Sequence, residues 1–128
     1  MIYLDTSVAL AQLLSEDRRP PDELWHEPLV SSRLLEYELW TLLHARTLAG
    51  SHGDASRMLL ARLGFLELAR PVISRALEPF PAPVRTLDAL HLASAMFLQE
   101  RGHDVTLATY DSRMRVAAKA MGLATLEL

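Results

Sequence analysis

The chain contains no cysteine, which excludes disulfides and thiolate metal sites and favours a reducing compartment. Lysine occurs once, as Lys119, and every other basic residue is arginine. None of the 5 glycines stands in a G-x-x-x-x-G-K pattern, so a P-loop is excluded. The longest run free of Asp, Glu, Lys and Arg is Ala89 to Gln99, far short of the roughly 20 residues that span a bilayer. Met1-Ile2-Tyr3-Leu4-Asp5 has no basic region of the kind that opens a signal peptide, so a soluble cytoplasmic protein is expected. Positive charge is also short: Asp plus Glu number 16 against 13 Lys plus Arg, a net charge of -3, which argues against a generic polyanion binder. What remains is 128 residues, 50% hydrophobic and 23% charged, with no biased tract or repeat: one globular domain with one core.

Strand and helix patterns alternate. Ile2-Tyr3-Leu4 reads as a buried strand, followed by a helical stripe from Thr6 to Leu14 that fades at Ser15-Glu16-Asp17. After a loop at Arg18–Asp22, Leu29–Ser31 reads as a second strand, and Ser32 as the N-cap of a helix over Arg33–Ala49 with Gly50 just beyond it. A helix over Gly53–Leu63 closed by Gly64, a strand at Phe65–Leu68, and a short helix from Pro71 to about Leu77 follow. Pro79, Pro81 and Pro83 impose an extended linker. Thr86 reads as the cap of a long helix to Arg101, then come a strand at Val105–Thr109, a helix at Asp111–Met121 and a final strand within Leu123–Leu128. The alternation predicts a parallel sheet covered on both faces.

Several acids fall where solvated surface acids are not expected. Asp5 follows the first strand and Asp111 follows the strand ending at Thr109-Tyr110, and ligands of open α/β sheets bind beyond the carboxyl ends of strands. The plainer role for each is a helix N-cap. Asp88 opens a helix that is apolar nearly all round, through Leu87, Ala89, Leu90, Leu92, Ala93, Met96, Phe97 and Leu98. Dehydrating a carboxylate costs several kcal/mol, so Asp88 must reach solvent or meet a cation. Glu36 and Glu38 lie about 200° apart on their helix. Glu38 falls within the stripe of Leu34, Leu35, Leu39, Leu42 and Leu43 and points inward, whereas Glu36 faces solvent. An inward Glu38 needs a partner, either Arg46 on the same stripe or a metal.

Asp5, Glu38, Asp88 and Asp111 would repel one another unless cations neutralised them, and an all-oxygen set suits Mg²⁺ or Mn²⁺. Such ions stabilise charge on a phosphoryl group, which points to phosphodiester hydrolysis. Bound cations would also turn an acidic pocket into one that accepts phosphate. His91, three residues after Asp88, reads as a core histidine hydrogen-bonded to a neighbour rather than a ligand, because a hard cation prefers oxygen. Arg33, Arg113 and Arg115, near these segments, are candidates for gripping substrate phosphates. Trp25 and Trp40 suit base stacking or a protein interface.

Four stretches in order, Tyr3-Leu4-Asp5-Thr6-Ser7, Ser31-Ser32-Arg33-Leu34-Leu35 through Glu38-Leu39, Thr86-Leu87-Asp88-Ala89-Leu90-His91-Leu92-Ala93 and Leu107-Ala108-Thr109-Tyr110-Asp111, resemble the motifs of PIN domains, and more narrowly of VapC-type toxins of bacterial toxin–antitoxin pairs. The resemblance spans residues 1–128 as a single PIN domain. It implies a three-layer α/β/α sandwich around a short, mostly parallel sheet of four to five strands. It also implies a Mg²⁺- or Mn²⁺-dependent endoribonuclease acting on structured RNA such as tRNA or rRNA. Asp5 and Asp88 would be the principal metal acids, Glu38 and Asp111 would complete the quartet, and Ser7 and Thr109 would be the flanking hydroxyls. A VapB-type antitoxin covering the acidic pocket and a homodimer are further implications. The chain departs from many PIN domains in having Ser112 and Arg113, not another acid, after Asp111, which weakens the case for a second metal position.

A receiver domain would need an acidic pair after the first strand, and a haloacid-dehalogenase-like phosphatase a second Asp where Ser7 stands. The alternatives that remain are a catalytically silent PIN domain binding RNA or protein, and a housekeeping PIN nuclease without an antitoxin.

Overall fold

β1 (Ile2–Leu4) is apolar at every position because it lies mid-sheet, buried on both faces. In the computed structural model, which describes residues 1–15 and 17–128, five strands run in the order β3-β2-β1-β4-β5, and every neighbouring pair is parallel. The others are β2 (Leu29–Ser32), β3 (Leu63–Leu66), β4 (Thr106–Ala108) and β5 (Ala124–Thr125). Six helices connect them: α1 (Thr6–Leu14), α2 (Arg33–Ala45), α3 (Ala49–Leu60), α4 (Arg70–Ala76), α5 (Thr86–Glu100) and α6 (Ser112–Ala120), with a 3₁₀ turn at Asp22–His26.

Side chains that alternate along the strands divide the core in two. Ile2, Leu4, Leu29 and Ala108 pack with Val8, Leu35, Leu39, Leu43 and Leu59 under α1, α2 and α3. Tyr3, Val30 and Leu107 face the other way, against Leu92, Ala95 and Leu98 of α5 and Met114, Ala117 and Ala118 of α6. The result is the expected α/β/α sandwich, with all five strands parallel. The chain builds outward from β1 through β2 to β3, then returns to β4 on the other side of β1. Strand order therefore reverses between β1 and β4, which opens a crevice beyond their carboxyl ends, where Leu4 pairs with Ala108.

Most elements stand where the sequence pattern places them. Ser32 caps α2, its Oγ accepting from the Leu34 N–H at 3.1 Å, and Pro71 lies in the first turn of α4. The fading of α1 falls partly on Glu16, which lies outside the described residues. Thr86 is not a cap: Arg85 takes that position and Thr86 is the first helical residue. The main difference concerns α2 and α3. The expected helix to Ala49 ends at Ala45, Gly50 lies inside α3, and Gly64 belongs to β3.

The cause is the turn at Thr47, whose φ of 56° is left-handed. Leu48 N–H donates to Leu43 O at 2.7 Å and Thr47 N–H to His44 O at 3.2 Å, the 6→1 and 5→2 bonds of a Schellman motif. The same 6→1 bond closes α5 (His103 to Leu98) and α6 (Leu123 to Ala118), but there Gly102 and Gly122 hold the left-handed position. A β-branched residue in that conformation costs about 1–2 kcal/mol. Thr47→Gly should therefore stabilise the protein by about 1 kcal/mol in urea unfolding, with the slope of the transition unchanged; a loss of stability would contradict the assigned turn.

Candidate active site

The crevice between β1 and β4 holds Asp5, which is only 5% exposed. Asp5 occupies the N-cap position of α1 yet its side chain makes no capping bond, so the plain capping role does not explain it. Two hydroxyls hold the carboxylate instead: Ser7 Oγ and Thr109 Oγ1 donate to Asp5 Oδ2 at 2.7 and 2.8 Å. Each hydroxyl is aimed by a backbone N–H that it accepts, from Tyr110 to Ser7 and from Asp111 to Thr109, both at 3.0 Å. The end of β4 thus orients the acid at the end of β1, and Arg115 in turn donates to the Thr109 carbonyl at 2.9 Å.

Glu38 points inward, as its helix stripe requires, and its side chain is 22% exposed. Its partner is not Arg46, which is exposed. Glu38 Oε1 meets His91 Nε2 at 2.7 Å and accepts from Thr6 Oγ1 at 2.8 Å. His91, buried to 1%, is the hydrogen-bonded core histidine that its sequence context favours; its Nε2 also stands 3.9 Å from Asp5 Oδ1. The pairing of Glu38 with His91 has no signal in local sequence. Glu36 lies on the outer face in an exposed pair with Arg33, at 3.5 Å.

Asp111 does cap a helix: its Oδ1 accepts from the Arg113 and Met114 N–H groups at the start of α6. Asp88 sits half-buried in the first turn of α5. Burial, and then the negative charges of Asp5 and Asp111, hold its carboxyl above the usual aspartate range, and the positive charge of Arg85 opposes them. Asp5 and Asp111 are therefore near enough to Asp88 to act on it through space. Among the described residues no Lys or Arg forms an ion pair with any of these four acids.

The donor set fits a hard divalent cation: it is all oxygen and net negative, and among the described residues no Lys or Arg neutralises it. Among the described residues no three His or acidic side chains stand close enough to cage an ion together.

Two of the three candidate arginines already have partners. Arg33 donates to Glu67 at 2.9 Å and lies 4.6 Å over the Phe65 ring, while Arg115 is held by Thr109. Arg113 is exposed, beside a pocket that it lines with Ala82, Pro83, Ser112 and Val116. Trp25 lines a separate groove of about 610 Å³ among α1, α3 and the 3₁₀ turn, to which none of the acids contributes, and Trp40 on α2 is covered by Arg57 at 5.2 Å.

The raised Asp88 has a thermodynamic consequence. An acid whose pKa is higher folded than unfolded favours the native state only while protonated, so its contribution is lost as pH rises through the folded pKa. Asp88→Asn should melt above wild type at pH 7, and the gap should close as pH falls below the ordinary aspartate value of 3.8. Equal melting temperatures at pH 7 would show that the acids do not repel.

Residues 2–120 match the PIN domain family. The chain is 36% identical over 129 residues to "Ribonuclease VapC46" of Mycobacterium tuberculosis, with 98% of this chain and 95% of that protein covered. It is 33% identical over 132 residues to "Ribonuclease VapC47" of the same species, at 98% and 95% coverage. Among solved structures, Mycobacterium tuberculosis VapC20, described as a Sarcin-Ricin loop cleaving toxin, superposes with a TM-score of 0.72 at 19% identity over 100% of both chains. A chain of the Rickettsia felis VapBC2 structure, bound to a DNA fragment from its promoter, gives 0.72 at 17% identity, covering 98% of each chain. Sequence motifs, sheet topology and full-length identity agree: the chain belongs to the PIN-domain family, in the group of the VapC ribonucleases.

Proposed function

We propose that residues 1–128 form a single PIN domain that acts as a Mg²⁺- or Mn²⁺-dependent endoribonuclease on structured RNA, tRNA or rRNA, and as the toxin of a VapBC pair. One observation carries the reading. Asp5 is a buried carboxylate with no Lys or Arg partner among the described residues, held by two hydroxyls in the crevice where strand order reverses. Burying an ionised acid without a counter-charge is costly, and a bound cation removes that cost. Relatives named as ribonucleases, at 33–36% identity over nearly the whole chain, supply the reaction class.

A bound Mg²⁺ or Mn²⁺ would supply Lewis acidity towards the phosphate and neutralise the acids around it. Asp5 and Asp88 are its principal holders, with Asp111 completing the set. Ser7 and Thr109 fix Asp5 Oδ2, so the carboxylate cannot swing when substrate arrives. Glu38 is fixed through Oε1 alone, which leaves Oε2 to accept a proton from water near the phosphate. Arg113 grips the RNA backbone beside the acids, while Arg33 and Arg115 contribute chiefly to the fold around them. The partners are the RNA, a VapB-type antitoxin presenting a basic side chain to the acids, and a second copy of the chain in a homodimer. No described helix is long and apolar enough to cross a membrane, and the proposed location is the cytoplasm.

The test is cleavage of tRNA and rRNA by the purified chain freed of antitoxin. Cleavage should need Mg²⁺ or Mn²⁺ and stop on chelation. Asp5→Asn and Asp88→Asn should each lower the rate by orders of magnitude while remaining folded, and Glu36→Ala should change it little. Full activity in either aspartate variant, or cleavage in excess chelator, would refute the assignment.

A further inference from the structure

The buried chain from Tyr3 through His91 to Glu38 crosses three elements and touches no solvent until its last member. Tyr3, on the face of β1 opposite the Asp5 crevice helices, is fully buried, and its hydroxyl lies 2.8 Å from His91 Nδ1. His91 Nε2 lies 2.7 Å from Glu38 Oε1, and Thr6 Oγ1 donates to the same oxygen. The two ring nitrogens are therefore occupied by two different partners, one on each side of the imidazole.

The chemistry of Glu38 sets the proton on its side of the ring. A carboxylate oxygen only accepts, so Nε2 must bear hydrogen. On the other side of the ring the Tyr3 hydroxyl meets Nδ1, and the Ser31 and Ser94 hydroxyls approach the same tyrosine.

We infer that His91, seated against Tyr3 through Nδ1, is a positioning residue whose Nε2–H holds the Glu38 carboxylate facing the acid site. The same deduction assigns Thr6 the lesser share, since its hydroxyl has both Glu38 Oε1 and His91 Nε2 within reach, at 2.8 and 3.1 Å. The inference rests on the nuclease reading only for the consequence of positioning, since the hydrogen-bonded order itself is a property of the folded chain.

Two readouts test it. In protein labelled with ¹⁵N-histidine at neutral pH, the His91 ring, recognised by its absence from the spectrum of His91→Gln, should show a protonated Nε2. A bare Nε2 in the wild-type ring overturns the inference. In RNA cleavage, His91→Leu should lower kcat by about 10- to 100-fold with KM within about twofold, because Glu38 is displaced rather than removed. His91→Gln, which keeps an N–H for Glu38, should recover most of the loss. Equal rates for wild type and His91→Leu, or a Gln variant as slow as the Leu variant, also overturn it. A wild type that cuts no RNA counts against the nuclease reading, while the proton on Nε2 still decides this one.

Discussion

Everything at the carboxyl edge of the sheet is arranged around one unfavourable fact, a nearly buried Asp5 that no Lys or Arg pairs with among the described residues. A dehydrated carboxylate is tolerated only if hydrogen bonds or opposite charge replace its water. Here two hydroxyls do part of that work, and both depend on the turn after β4, whose N–H groups aim them. The parallel pairing of Leu4 with Ala108 brings Asp5 to that turn, so the sheet register is a requirement of the site. A shift of one residue would send Tyr3 into the α1–α3 layer and remove Asp5 from both hydroxyls.

The net charge of -3 is a poor guide to such a site. A surface near neutrality can still carry a local negative field, and Asp88 registers the charges of Asp5 and Asp111 by resisting ionisation. On the proposed reading, that field would repel a phosphate until a cation intervened and would attract one afterwards. RNA binding and metal binding would then be parts of one event, which is how an acidic protein could act on a polyanion.

What was legible in the sequence is what depends on local periodicity. The helical wheel separates Glu38 from Glu36, and the structure places the first inward and the second in an exposed pair. Alternation between strand and helix patterns gives the layers, and the ends of the first and fourth strands locate Asp5 and Asp111. Local pattern failed where a residue's role is decided elsewhere. Thr47 takes the left-handed turn that glycine would be expected to hold, so Gly50 misplaced the boundary of α2 and α3. Glu38 finds His91 across 53 residues of sequence, a partnership created by packing α2 against α5 that no spacing rule contains.

The four carboxylates are not equivalent, and the difference lies in their separate oxygens. Asp5 commits Oδ2 to two hydroxyls, Glu38 commits Oε1 to Thr6 and His91, and Asp111 commits Oδ1 to the start of α6. Each of these three is oriented by one oxygen and leaves the other for chemistry. Asp88 is the exception, since burial and charge act on it with no hydrogen bond among the influences that shift it. Its place is set by the α5 backbone, and its ionisation by its neighbours. A cation held by Asp5 and Asp88 would offset the negative charges of Asp5 and Asp111 that act on Asp88, and so would ease the ionisation that its surroundings oppose.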